Sequence, residues 1–443
     1  MSPKIAQAGA FTETIQLPMR NTPKRSRLSI KKMLWYRYLC RIPIVFMAGS
    51  YFSDMAGPAL HAGKKGTAGF LRTILRVGLA LALLLPGPAL AVGQDRPETF
   101  DQLALSAAAA REQNDIPRAI DLYQRAVQLN PKWPDGWWYL GSLQYAVNAY
   151  APSVEALTHY IELTPRAGPA LALRGLCEFE QGQYPESLQD LQHGIALGAA
   201  NQPRNTQIIL YHEALLLTRL GKFEEALGKY TVFVKQGAIN QDVTAGVGLS
   251  GLRMPIFPKD IDPAQAQLVS LTGRAAISVI TGDLAGGHQA FLDIFHRFPA
   301  APNVHYLYGY LLFSTDPDQA IEQFQQELTA YPSSAIAHAM LAWAYGLRGD
   351  FAAALPDAQK AAAEAPSLPM AQLVLGRTLV ETGDVNSGLP HLEDVLRMEP
   401  GNLEAHMTLA KAYSELGRKE DARRERLWCL AVSNPGTAPN APM

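Results

Sequence analysis

From Phe100 onward, apolar or small residues return at helical spacing in runs of about a dozen residues. Examples are Trp137, Leu140 and Gly141, and Leu375, Gly376 and Leu379. That spacing puts these side chains on one stripe of an α-helix. The runs come in pairs, and the pairs repeat. A small residue opens the second run at Ala119, Ser153, Ser187, Ala226, Gly287, Ala320, Ala354, Gly388 and Ala422, at intervals of 34, 34, 39, 61, 33, 34, 34 and 34. A second small residue marks the first run at Gly141, Gly175, Ala214, Ala275, Gly309, Ala342, Gly376 and Ala410. The two markers share one period and the same two interruptions. The pattern therefore predicts about nine helix pairs, with the small residues where the two helices of a pair approach most closely.

The breakers fall in step. Pro131, Pro165, Pro299, Pro332, Pro366 and Pro400 close their units, and Ala199 stands where repeat three would have its proline. Proline there cannot continue a helix. Gly182, Gly221, Gly282, Gly349, Gly383 and Gly417 mark the turn inside the pair, where a positive φ is needed. The array divides into repeats one to four at 100–236, an insertion at 237–265, repeats five to nine at 266–431 and a disordered tail at 432–443. A shorter insertion of five residues falls near Ala199–Arg204. The long insertion holds Gly246-Val247-Gly248-Leu249-Ser250-Gly251-Leu252, then Pro255 and Pro258. It is too apolar for a loose linker. It reads as an ordered loop or short helix, either padding the junction of repeats four and five or bending the array and meeting a partner. The acidic, proline-rich ends fit capping.

These positions resemble the tetratricopeptide repeat family. Repeat two has Trp137, Leu140, Gly141, Ser153, Leu157, Tyr160 and Pro165. Repeat seven has Leu341, Ala342, Tyr345, Ala354, Ala358, Ala361 and Pro366. The first helix of repeat one is degenerate, packing through Ala107 and Ala110. The resemblance covers about residues 100–430. It implies an all-α fold, an α-solenoid of about nine helix-turn-helix repeats wound into a right-handed superhelix with a concave groove. It also implies that fixed positions of each first helix face that groove. On this chain they are Trp138, Ser142 and Tyr145; Phe179; Tyr211; Tyr306, Tyr310 and Phe313; Trp343; Arg377 and Glu381; and Met407 and Lys411. The Lys and Asn of the family's carboxylate-binding members are missing, since Trp138/Ser142, Ala172/Leu176 and Tyr211/Leu215 stand there. What remains is an aromatic groove with charges toward its C-terminal end. It is expected to bind another protein or peptide, unless the rings pack on one another instead.

Charge changes the picture at the head of the chain. The formal total over 443 residues is −1, which speaks against a nucleic-acid partner. Residues 1–91, however, hold thirteen Lys or Arg against Glu13 and Asp54 alone, so the rest is acidic. Lys64, Lys65, Arg72 and Arg76 precede the apolar run 77–85, and Ala89-Leu90-Ala91 follows Pro86, Gly87 and Pro88. That order is a secretory signal peptide, placed at 55–91 with a start at Met55. Residues 1–54 read as a mis-called or disordered basic extension. The chain is expected to be exported, to the periplasm of a bacterium or beyond. If the segment stays uncut, residues 77–90 would anchor it in the inner membrane as an envelope assembly factor. Membrane contact is expected only in that case.

The sequence offers no chemistry to match. There is no H-E-x-x-H, C-x-x-C or phosphate-loop motif. Gly248-Leu249-Ser250-Gly251 falls one residue short of a nucleophile elbow. Cys177 and Cys429 lie six repeats apart, too far for a disulfide, and Cys177 reads as a small core residue. His305, His338 and His406 recur at or next to one repeat position, too far apart for a shared metal. Glu224-Glu225 and Arg423-Arg424 read as solvated outer faces. The expectation is a non-catalytic interaction scaffold without cofactor or metal. An enzyme or glycan-binding protein is the alternative, and the oligomeric state is left open.

Overall fold

The computed structural model describes residues 98–199 and 203–433. The signal segment, the basic extension and residues 434–443 lie outside them. The compact unit of Thr99–Tyr145 with Ala149–Met443 carries all the packing described below. Of the other unit, only Glu98 and Ala146–Asn148 are among the described residues.

Nineteen α-helices and no strand occur among the described residues. Repeat one is α1 (Phe100–Glu112) and α2 (Ile116–Leu129); repeat two is α3 (Pro134–Ala146) and α4 (Tyr150–Leu163). Repeat three is α5 (Gly168–Glu180) and α6 (Tyr184–Ala196); repeat four is α7 (Pro203–Arg219) and α8 (Phe223–Lys235). An extra helix, α9 (Gln241–Gly251), follows. Repeat five is α10 (Ala266–Ile280) and α11 (Leu284–Arg297); repeat six is α12 (Val304–Leu312) and α13 (Pro317–Ala330). Repeat seven is α14 (Ala335–Leu347) and α15 (Phe351–Glu364); repeat eight is α16 (Pro369–Glu381) and α17 (Val385–Met398). Repeat nine is α18 (Leu403–Glu415) and α19 (Lys419–Ser433). The chain is an α-solenoid. Helix α7 begins about one turn earlier, relative to its marker, than most other first helices, so part of the five-residue insertion lengthens it. Helix α19 runs through Ser433, which corrects the expected start of a tail at 432.

Local chemistry accounts for the breaks. The six turn glycines all have φ between 72° and 92°, and Asn114 takes the same role in repeat one at φ 58°. Asp115, Asp283, Asp316, Asp350 and Asp384 then cap second helices, each carboxylate accepting a backbone N–H three residues on. Where serine replaces the small marker it acts across the pair. Ser153 donates to the Gly141 carbonyl at 2.8 Å, and Ser187 donates to the Gly175 carbonyl at 2.7 Å.

Neighbouring repeats are tied by a device the spacing does not announce. Four residues before the first-helix marker, a side chain reaches back to the carbonyl of the proline that closed the previous repeat. Trp137 Nε1 donates to Pro131 at 2.8 Å, and Gln372 Nε2 donates to Pro366 at 2.9 Å. His338 Nε2 lies 2.9 Å from the Pro332 carbonyl, and His406 Nε2 lies 3.0 Å from that of Pro400. The other ring nitrogen of each histidine faces a carboxylate on the second helix of its own repeat: Asp357 for His338 and Glu425 for His406, both at 2.6 Å. These histidines are junction pins. A proline carbonyl has lost its place in the helix ladder, and the pin satisfies it.

The insertion is a member of the stack. Val243, Val247, Leu249 and Leu252 are buried, and α9 packs on α7, α8 and α10. Its glycines allow backbones to touch. A methyl on Gly248 would sit 2.1 Å from the Val269 carbonyl oxygen of α10, and a methyl on Gly273 of α10 would sit 2.1 Å from that of Thr244 of α9. The two contacts run in opposite senses along the helices, so α9 and α10 are antiparallel and locked in register. Helix packing this tight admits only hydrogen at both positions.

Gly248→Ala is therefore expected to destabilise the chain by about 1–3 kcal/mol through backbone overpacking. Gly228→Ala, on an exposed face of α8 with nothing within 4 Å of its added methyl, should be neutral or stabilising by up to about 1 kcal/mol. Thermal unfolding of both variants checks this. Equal effects would show that the α9–α10 contact is not a constraint.

Candidate functional site

The groove residues expected from the sequence divide into three groups along the first-helix face. At the N-terminal end, Trp138 of α3 is half-buried with its ring 5.5 Å from Tyr160, and Tyr145 lies 5.8 Å from Tyr150. Both are engaged with second-helix rings of their own repeat and keep part of their surface open.

The middle group is closed by the chain itself. Phe179 is 7% exposed, and its ring meets Tyr184, His212 and Phe257 at centroid distances of 4.9–6.0 Å. Tyr306 is 1% exposed, and its hydroxyl donates to Glu224 at 2.6 Å. The expectation that these two rings line an open groove is corrected. The segment leaving α9 covers this stretch. Phe257 inserts against Phe179 and Tyr184. The Arg253 guanidinium lies 5.4 Å from the Tyr306 ring centroid and pairs with Glu224. The Leu252 carbonyl accepts from Asn303 at 3.1 Å, and that of Pro255 accepts from Arg219 at 3.3 Å. Glu224 is thus an anchor and not the solvated residue expected. Burial, and then the Glu224 charge, push the Tyr306 hydroxyl well above its ordinary range, so it stays a donor. Tyr211, Tyr310 and Phe313 remain half-buried at the margin of this closed stretch. Their rings pack on Phe233, Tyr306 and Phe324 respectively.

The third group stays accessible. Trp343 of α14 is half-buried, and the Arg377 guanidinium of α16 lies 4.7 Å from its ring centroid. Arg377 pairs with Glu404 of α18 at 3.4 Å, and Lys411 of α18 pairs with Glu381 of α16 at 2.5 Å. Met407, one turn before Lys411, is 53% exposed. The face across α14, α16 and α18 therefore presents an aromatic ring, an exposed thioether and charges of both signs. Exposed pairs like these add little stability. They remain available for exchange with a partner's charges.

Nothing in these groups assembles a nucleophile with a base. Cys177 donates to Ser153 at 3.2 Å, and burial pushes its thiol up to about 12, which makes it inert. Among the described residues there is no group of three or more His, Cys, Asp or Glu placed to hold a metal. None of their helices is long and apolar enough to cross a membrane. A charge cluster centres on Arg174 in repeat three. Arg174 donates to both oxygens of Asp190, at 2.5 and 2.9 Å, and to Thr158 at 3.2 Å. Glu178 lies 3.8 Å from Arg174, with one carboxylate oxygen buried and lacking a hydrogen-bond partner. Repeat four inverts the pair, with Glu213 on the first helix and Lys229 on the second, 2.9 Å apart.

Family models described as tetratricopeptide repeat match residues 311–369 and 381–425, and one described as TPR repeat matches residues 108–148. Among solved structures, the chain is similar to MamA, with 21% identity over 36% of this chain and 93% of that one, at a TM-score of 0.32. It is similar to yeast Tom70 with 15% identity over 76% and 84%, also at 0.32. It is similar to a tetratricopeptide repeat protein from Parabacteroides merdae with 13% identity over 71% and 98%, at 0.28.

Burial, and then repulsion from Asp190, raise the Glu178 carboxyl from 4.5 to about 7, against the pull of Arg174. Between those values the folded state holds a proton that the unfolded chain has lost, so stability falls as pH rises and the loss is complete above the folded value. Glu178→Gln should then be more stable than the parent by roughly 1–3 kcal/mol near pH 8, with the difference vanishing near pH 4. Urea unfolding at the two pH values reads this. A difference independent of pH would contradict it.

Proposed function

The chain is a tetratricopeptide repeat protein, and we propose that it is an exported, non-catalytic scaffold. Its partner is a polypeptide segment bound across α14, α16 and α18. The observation that carries this reading is the contrast along the first-helix face. The middle is filled by the chain's own 252–262 segment, while Trp343, Arg377, Met407 and Lys411 keep exposed surface. Aromatic and Arg side chains anchor protein interfaces with about 2 kcal/mol or more each. The mixed charges suit a backbone-and-side-chain ligand better than a nucleic acid, whose phosphates need a uniformly basic surface. Repeat arrays of this family serve in general to bind proteins or peptides, which supports the partner class.

Export rests on the order of charged, apolar and small residues at 64–91. The reading is a soluble protein cut after Ala91, with an uncut, membrane-anchored form as the competitor. N-terminal sequencing of the protein from the producing cell separates them. A first residue just after Ala91 is expected, and a start at or before Met55 would refute cleavage.

For the partner site, the full chain and the variant Arg377→Ala/Met407→Glu are coupled to resin and challenged with envelope extract. Both substitutions lie on exposed or half-buried surface, so the variant should melt with the parent. Loss of a retained protein by at least about tenfold is expected. Equal retention would move the contact to another face and sink the reading.

A further inference from the structure

The segment that fills the middle of the first-helix face, residues 252–262, contains the run Arg253-Met254-Pro255-Ile256-Phe257-Pro258-Lys259. Its two prolines favour an extended course and leave little conformational freedom. Phe257 and Ile261 have extended backbones, with one short 3₁₀ turn, Pro258–Asp260, between them. Backbone N–H groups of this strap bond within it or to α9. Met254 donates to the Leu249 carbonyl, Ile256 to that of Met254 and Asp260 to that of Phe257. Other groups hold the strap on the repeats.

Those groups are of the kind that hold a bound peptide. Array side chains clamp two strap carbonyls: Asn303 Nδ2 donates to Leu252 at 3.1 Å, and Arg219 Nη1 donates to Pro255 at 3.3 Å. Asn303 is the N-cap of α12, yet its side chain caps no N–H there. Glu327 accepts from the Asn303 and Tyr306 N–H groups instead, at 2.8 and 3.2 Å, which frees the Asn303 amide for the strap. Strap side chains enter the face as anchors. Arg253 pairs with Glu224, its guanidinium 4.8 Å from the Phe223 ring centroid and 5.4 Å from that of Tyr306. Phe257 is 3% exposed, its ring 5.4 Å from Phe179 and 5.2 Å from Tyr184. Burial raises the Glu180 carboxyl, and the Lys259 charge works against that rise. Met254, Ile256 and Ile261 are half-buried on the same core.

Both ends of the strap are jointed. Arg253 has φ 56°, in the left-handed region that a side chain disfavours. Residues 262–267 are all exposed, and the N–H groups of Ala264, Gln265 and Ala266 bond back to Asp262. The strap can therefore swing off the face while α9 and α10 stay packed on each other.

We propose that the first-helix face of repeats three to six is a second peptide-binding site, closed at rest by the strap acting as a tethered ligand. Its external ligand is an extended polypeptide segment with the strap's own chemistry: an arginine, an aromatic ring four residues on and a lysine two further. Glu224 and Glu180 select the cations, Phe179 and Tyr184 take the ring, and Asn303 and Arg219 hold the backbone carbonyls. This site is separate from the face across α14, α16 and α18 and stands whether or not that face binds a partner. A tethered ligand competes at an effective concentration of about millimolar, so a free segment gains the site when the strap's anchors are lost.

Fluorescence anisotropy of a labelled synthetic peptide of residues 252–262 tests this on the full chain. The opened variant Arg253→Ala/Phe257→Ala should bind the peptide at least about tenfold more tightly than the parent. A peptide with alanine at its own two anchors should not bind. Glu224→Gln added to the opened variant should weaken binding at least about tenfold. Equal affinity of parent and opened variant, or no binding to either, overturns the proposal. So does binding that ignores the peptide's anchors or Glu224. Should the double variant unfold, Arg253→Ala alone replaces it with the same expectations, since that side chain is already 17% exposed. Native-state hydrogen exchange on the unaltered chain gives a second reading. Strap amides should exchange before those of α9 and α10. Strap amides that open only together with α9 and α10 would mark a fixed core element and overturn the proposal.

Discussion

A pair of short helices has two apolar faces and can cover only one by folding on itself. The second must be covered by the next pair, and the rest of this structure follows from that need. Small residues at the markers let the two helices of a pair close up. The Trp137, His338, Gln372 and His406 pins hold successive pairs at the angle where the second face is sealed. The pins act where a closing proline, Pro131, Pro332, Pro366 or Pro400, frees a carbonyl at the joint itself. A chain built this way cannot tolerate a gap between repeats four and five, and α9 fills it.

That need also explains why the insertion looks as it does. A linker of 27 extra residues would open two apolar faces to water. Instead, α9 offers a glycine-rich surface to α10, so the backbones come close enough to exclude solvent without large side chains. The segment after it crosses the first-helix face of repeats three to six, where Phe257 and Arg253 take positions that a ligand would otherwise occupy. The stack is continuous, and its binding face is shortened. What remains for a partner lies toward the C-terminal repeats.

Much of this was legible in the sequence. The 34-residue period, the turn glycines and the closing prolines located the helices, because each marker answers a backbone requirement that few residues meet. The site was legible only in part. Trp343, Arg377 and Lys411 keep exposed surface, but Phe179 and Tyr306, expected on the same groove face, are buried. Periodicity assigns a face, and it cannot tell whether a distant segment lies on that face. The covering loop was flagged by its mixture of glycine, proline and apolar residues, yet its destination depends on contacts such as Tyr306–Glu224, 82 residues apart. The histidine pins were visible as a recurring position. Their role was hidden because the acceptors are backbone carbonyls, which sequence does not distinguish.

The central claim is that the stack runs unbroken through the insertion. Native-state hydrogen exchange across residues 223–280 tests it most directly. If α9 is a structural layer, its amides should be protected to the same degree as those of α8 and α10 and should open with them as one unit. Rapid exchange through Gln241–Gly251, with α8 and α10 still protected, would show an appended segment and a stack that closes without it.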